Sequence, residues 1–189
     1  MLKSLRYRSG ATRFLCAIWL CVICAAQSSG VWLDVPFVRQ EKNGCGAASI
    51  AMVMQYWQQQ PGQRENAGSG MEAIQQAIYS SGAHGAYASD MERYFQGHGF
   101  RTFAFRGQWA DLRQHLAKGR PLIVALKPLP TEDTLHYVVV AGIDLQQNVV
   151  LVNDAAQRKL LKEDCNSFEK KWSAAGNWTL LALPETAKP

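Results

Sequence analysis

The sequence predicts an α+β fold, with helices in the first half, one of them central and buried, packed on an antiparallel sheet from the second half. The stretch CGAASIAMVMQYW, from Cys45 to Trp57, is apolar on nearly every side, as a helix surrounded by protein is. Beyond Pro121 the chain becomes a series of β-rich runs, among them LIVAL, LHYVVVAGI and NVVLVN. Their connections are mostly short, which favours antiparallel neighbours. The 189 residues are 48% apolar and 19% charged, enough for one domain with a real core. That composition excludes disordered, collagen-like and repeat classes.

Residues 1–30 have the layout of a secretory signal peptide: Lys3, Arg6, Arg8 and Arg13 without an acid, then thirteen uncharged residues from Phe14 to Ala26, then small polar residues. Cleavage is expected between about residue 26 and residue 30, Ser28 fitting best. The apolar run is shorter than the roughly 20 residues a spanning helix needs, so an uncleaved anchor is the alternative. Bulky Leu15, Leu20 and Ile23 precede Cys16, Cys21 and Cys24, which argues against a lipoprotein. The net charge of +5 belongs largely to this segment, since the rest holds sixteen basic residues against fifteen acidic ones. A basic nucleic-acid-binding surface is therefore not expected. A single domain is expected over residues 31–189, exported to the periplasm or the exterior, with Cys45 and Cys165 as its cysteines.

Val31–Arg39 reads as extended, with Pro36 suited to an edge. Asn43-Gly44 is a turn ahead of the buried helix. Pro61–Gly70 is a polar loop and Met71–Ser80 a helix. Ser89 and Glu92 form a capping box opening a helix to about Gln96. Phe100–Phe105 is a strand, and Trp109–Lys118 a helix stopped by Gly119 and Pro121. Strands follow at Leu122–Leu126, Leu135–Ile143, Asn148–Asn153 and Trp178–Leu183, with a short helix near Phe168–Trp172. The sequon Asn177-Trp178-Thr179 abuts the last strand and carries no weight.

Gly44-Cys45-Gly46 puts a thiol at the start of the buried helix. The positive end of the helix dipole and unpaired backbone N–H groups stabilise a thiolate there. The flanking glycines are read as leaving the sulfur open to approach. Such a cysteine needs a base. His84 and His98 lie in glycine-flanked loops and read as solvated; His115 reads as outward-facing on its helix. His136 opens the best strand, with nothing polar following until Asp144, so it must be bonded or lie in a cleft.

Residues 135–143 and 148–153 form a hairpin. Pairing Ile143 with Gln147 sets His136 opposite Asp154, with Cβ atoms about 4.5–5.5 Å apart. A carboxylate there can fix the imidazole tautomer and stabilise its charge. A one-residue slip offers Asn153 or Ala155 instead. Gln40, five residues before Cys45, can donate its amide to an oxyanion forming beside the Cys45 N–H.

The order Gln40…Cys45…His136…Asp154, carried by LDVPFVRQEKNGCGAASIAMVMQYW, HYVVVAGID and VLVND, resembles the papain-like cysteine peptidases. It is most similar to the bacteriocin-processing peptidases, family thirty-nine of the cysteine peptidases. The resemblance spans about Leu33 to Pro184. It implies a papain-like fold, a thiolate nucleophile and a peptide or protein substrate. Members of that family fused to ABC exporters remove leader peptides after a double-glycine motif. This chain carries no Walker A motif, and Gly44 stands where exporter-borne domains often have Asp. Any export machinery would be a separate partner. Other readings stay open: acyl transfer by the same thiol, as in transpeptidases and amidases; a degenerate relative that only binds substrate; or a secreted binding module with a Cys45–Cys165 disulfide. No cofactor or metal is expected, since the histidines are scattered and neither C-x-x-C nor H-E-x-x-H occurs.

Overall fold

A computed structural model describes residues 30–62, 68–128 and 134–185. The segment read as a signal peptide lies outside these residues. The elements in chain order begin with β1 (Val31–Trp32), α1 (Cys45–Gln58), α2 (Met71–Ile78), β2 (Tyr79–Ser80), β3 (Gly85–Ala86), α3 (Ala88–Gly97) and β4 (Phe100–Arg106). Then come α4 (Trp109–Ala117), β5 (Leu122–Leu126), β6 (His136–Asp144), β7 (Val149–Asn153), β8 (Leu161–Asp164), α5 (Cys165–Ala174) and β9 (Trp178–Pro184).

Seven strands form one antiparallel sheet in the order β4-β9-β5-β6-β7-β8, with β1 pairing the far end of β6 beyond the reach of β5. Helices cover both of its faces, where the sequence reading had a single helical layer. Ile123, Ala125, Tyr137, Val139, Ala141, Leu180 and Ala182 pack with α1, α2 and α3. Leu122, Val124, Leu126, Val138, Val140, Leu181 and Leu183 pack with Leu112 and Leu116 of α4 and Phe168 and Trp172 of α5. This is why β5 and β6 read as unbroken apolar runs: a strand covered on both sides has no solvent face to alternate toward.

Helix α1 is the centre of the molecule, with ten of its fourteen residues buried. A Cβ on Gly46 would lie 3.0 Å from the Ala86 Cβ, 3.4 Å from Met91 Sδ and 3.6 Å from Tyr137 Cδ2. The glycine lets the first turn of α1 close onto β3 and β6. Gly46→Val is expected to destabilise the protein by about 2 kcal/mol, within the range for overpacking a tight site. Denaturant unfolding monitored by circular dichroism measures this.

Several boundaries differ from expectation. Helix α3 starts at Ala88 with Tyr87 before it and no side-chain cap, so Ser89 and Glu92 form no capping box. The observed box is at α4, where Gln108 and Asp111 satisfy each other's backbone N–H. Helix α2 stops at Ile78, and Tyr79–Ser80 turn into a two-residue hairpin with β3. Strand β8 is too charged to read as β from sequence, yet it closes the sheet edge, where charged side chains belong. Helix α5 begins three residues before its expected start, because the Asp164 carboxylate accepts from the N–H groups of Asn166 and Ser167.

Candidate active site

Cys45 is the first residue of α1, and Gly44 ahead of it supplies no side-chain cap. The first turn holds no acidic residue. The orphan N–H groups and the positive end of the dipole are therefore left for the sulfur. A Cβ on Gly44 would meet Met71 Cε at 2.6 Å and Gln75 Oε1 at 2.7 Å, so this glycine also lets a neighbour, α2, sit against the start of α1. A cleft of about 710 Å³ opens beside the turn, lined by Glu41, Lys42, Asn43, Glu72, Gln75 and Tyr79.

His136 is the first residue of β6, and its Nε2 lies 2.8 Å from Asp154 Oδ1. With that nitrogen engaged, Nδ1 is the one left for the hydrogen bond between the ring and the Cys45 sulfur. The predicted partners meet, though not by the predicted route. Ile143 pairs with Val150, not Gln147, and a bulge at Ala141 shifts the register by one before the ladder ends at Val139 and Asn153. On that register His136 has no partner in β7. Asp154 is one residue past the strand, in a turn that folds back to the start of β6.

That turn is tightly specified. Asp154 Oδ1 also accepts from the Ala156 N–H at 3.0 Å, and Oδ2 accepts from Gln157 Nε2 at 2.6 Å. Asn153 is fully buried and structural: its amide donates to the Val35 carbonyl at 3.1 Å and accepts from the Leu160 N–H at 2.9 Å. Lys159 pairs with Asp34 at 2.5 Å, and the Gln40 N–H donates to the Ala155 carbonyl at 3.1 Å. The segment ahead of α1 is thereby stitched to the turn that carries Asp154. Gln40 is held against this turn by its backbone. Its side chain makes no hydrogen bond among the described residues, and its Oε1 is buried.

The electrostatics follow from burial and pairing. Burial is the largest single effect on the Cys45 thiol and favours the neutral form. The His136 hydrogen bond, the Tyr137 backbone N–H, the imidazolium charge and the Gly46 N–H together outweigh it and hold the pKa below the ordinary cysteine value. Burial likewise opposes charge on His136, but Asp154 and the Cys45 thiolate push its pKa up to about 9. Asp154 stays below the usual carboxylate range despite burial, through His136, the Ala156 N–H and Gln157. Tyr137 is pushed up to about 12 by burial and by the nearby thiolate charge. The lowered thiol and the raised imidazole both shift in the direction that favours a thiolate–imidazolium pair, the state required for nucleophilic attack by sulfur.

The remaining candidates lie elsewhere. His84 is exposed, as expected, and lines the cleft beside Asn43 without touching the other site residues. His98 is half-buried and stacks on Tyr94 at 4.1 Å. His115 is not simply outward-facing: its Nδ1 is buried and its ring lies 6.2 Å from that of Phe105. Cys165 is buried in the core on the α5 side of the sheet, while Cys45 packs on the α1 side. Both thiols are free, which overturns the disulfide-linked binding module. Burial and the charges of Asp164 and Asp144 raise the pKa of Cys165, an unreactive thiol. Sequence reasoning missed Gln157, for which the sequence carries no signal beyond its place just after the Asx turn that Asp154 makes with the Ala156 N–H.

Three solved structures share the fold. A double glycine motif protease from an AMS/PCAT transporter, in complex with its leader peptide, is 21% identical, with a TM-score of 0.62 over 82% of this chain and 94% of that one. The peptidase domain of Streptococcus ComA, a bi-functional ABC transporter of a quorum-sensing pathway, is 19% identical, with a TM-score of 0.60 over 78% of this chain and 97% of that one. A Bacillus anthracis protein described as a C39-like peptidase is 19% identical, with a TM-score of 0.60 over 82% and 97%. No curated protein sequence matches the chain. The Peptidase_C39 like family matches residues 32–180, a span that contains Cys45, His136 and Asp154. The chain therefore belongs to that family and is a cysteine-type peptidase with its papain-like fold.

Proposed function

We propose that the protein hydrolyses peptide bonds through Cys45, His136 and Asp154, with Gln40 as an oxyanion donor. The hydrogen-bonded series from the Cys45 sulfur through His136 to Asp154, at the start of the buried helix, carries the reading. The Cys45 thiolate attacks the scissile carbonyl. The oxyanion that forms is met by the Cys45 N–H and by the Gln40 amide, which has no other hydrogen-bond partner among the described residues. Imidazolium His136 gives its proton to the leaving amine and the thioester remains. Neutral His136 then takes a proton from water, which attacks the thioester and releases the acid. Asp154 holds the ring in one tautomer and stabilises its charge through both halves of the cycle.

Substrate residues beside the scissile bond would run along the cleft at Asn43, two residues from Cys45. The structural neighbour that carries a leader peptide favours a leader segment ending in two glycines as the substrate. The basic, then apolar, then small and polar order of residues 1–30 supports export across a membrane.

Asp154→Asn tests the orienting role. It keeps the shape of the side chain and removes the charge that holds His136 up. Peptide turnover is expected to fall about 10²-fold, the lower end for loss of a positioned acid–base function. Unchanged turnover of a double-glycine peptide in that variant would exclude Asp154 from the mechanism.

A further inference from the structure

We propose that Gln157, an exposed residue, is a positioning residue for the proposed reaction: its amide clasps the outer oxygen of Asp154, so that the inner oxygen stays aimed at His136. The inference rests on the triad reading above. Asp154 is 5% exposed and carries two oxygens with different duties. Oδ1 serves His136 and the Ala156 N–H, whereas Gln157 is the one described residue that bonds Oδ2. The Gln157–Oδ2 bond, at 2.6 Å, is shorter than the His136–Oδ1 bond at 2.8 Å. Without it, the carboxylate can turn about its last torsion toward solvent, and the inner oxygen leaves the imidazolium.

The turn itself does not need this side chain. The Gln157 N–H donates to the Asp154 carbonyl at 2.9 Å, Asn153 holds Leu160, and Lys159 pairs with Asp34. The amide's contact is with the functional carboxylate alone, from a residue with no place in the core. The other charged groups around the site are accounted for. Cys45 faces His136 from α1. Lys171 approaches from α5, paired with Glu163 and within reach of the Asp154 charge. The Arg39 guanidinium reaches the Gln157 carbonyl at 3.5 Å rather than the carboxylate. None of them replaces a neutral donor on Oδ2.

The test uses the folded protein and two readouts: the pKa of the His136 ring from its NMR titration, and the pH at which Cys45 alkylation by iodoacetamide reaches half its limiting rate. Gln157→Met keeps the length of the side chain and removes the donor. It is expected to lower the His136 pKa and raise the Cys45 alkylation midpoint, each by about half to one pH unit, with an unchanged melting temperature. Lys159→Met loosens the same turn without touching Asp154 and is expected to move neither readout. A Gln157→Met protein that titrates like wild type, or equal shifts in both variants, would overturn the positioning role. The triad reading fails separately, if Cys45 in the wild type alkylates as an ordinary thiol while the His136 pKa still falls in Gln157→Met.

Discussion

Cys45→Ala is expected to reduce peptide hydrolysis by at least about 10⁴-fold, the scale seen when a covalent nucleophile is removed from a site that works as a unit. The substitution removes one half-buried sulfur from the end of a helix whose other contacts are intact, so the fold should persist. Circular dichroism and the melting temperature check this. Cys45→Ser should be almost as inactive. The N–H groups and imidazolium that draw a thiol below its ordinary pKa leave a hydroxyl, starting far higher, un-ionised. Cys165→Ala is the control: that thiol lies across the sheet, and its loss should leave turnover unchanged.

His136→Ala is expected to cost at least about 10³-fold in turnover, within the range for general acid–base groups, and also to change the chemistry of the remaining thiol. On the proposed mechanism the productive ion pair is expected above the lowered pKa of Cys45 and below the His136 value of about 9. As pH falls through the first limit, sulfur is protonated and both turnover and alkylation are lost. As pH rises through the second, the ring loses the proton it must give to the leaving amine. Turnover then declines while the thiolate still alkylates. Removing the ring deletes the hydrogen bond and charge that oppose burial of the thiolate. The alkylation limb should move to higher pH and the upper turnover limb should disappear. A turnover profile against pH for both proteins measures this directly.

The parts of the fold readable from sequence were those with one dominant physical cause. Helix α1 and strands β5 and β6 are apolar on all sides because they are covered on all sides. The hairpin register was not readable. Four residues separate the β6 and β7 runs in either placement. The choice was made by Asn148, which adopts a positive φ of 56° at the end of the turn, and by the bulge at Ala141. His136 and Asp154 meet regardless, because the aspartate has left the ladder and its turn, pinned by Asn153, brings it back. Short β2 and β3 and charged β8 carry too little pattern to distinguish them from loops. Ser89 and Glu92 had the spacing of a capping box, but the helix begins ahead of them, at Ala88. Gln157 was invisible for a different reason: an exposed glutamine in a surface turn is ordinary until its amide is found on the carboxylate that bonds His136.

The ion pair between Cys45 and His136 is the centre of this account. Its most direct test is the rate of Cys45 alkylation by iodoacetamide as a function of pH, without reductant, with peptide mapping to separate it from Cys165. Fast labelling of Cys45 well below pH about 8.5, the range of an unperturbed thiol, is predicted, with slow labelling of Cys165 throughout and loss of the Cys45 advantage in His136→Ala. Labelling of Cys45 only at the pH of an ordinary thiol, unchanged in His136→Ala, would contradict the account.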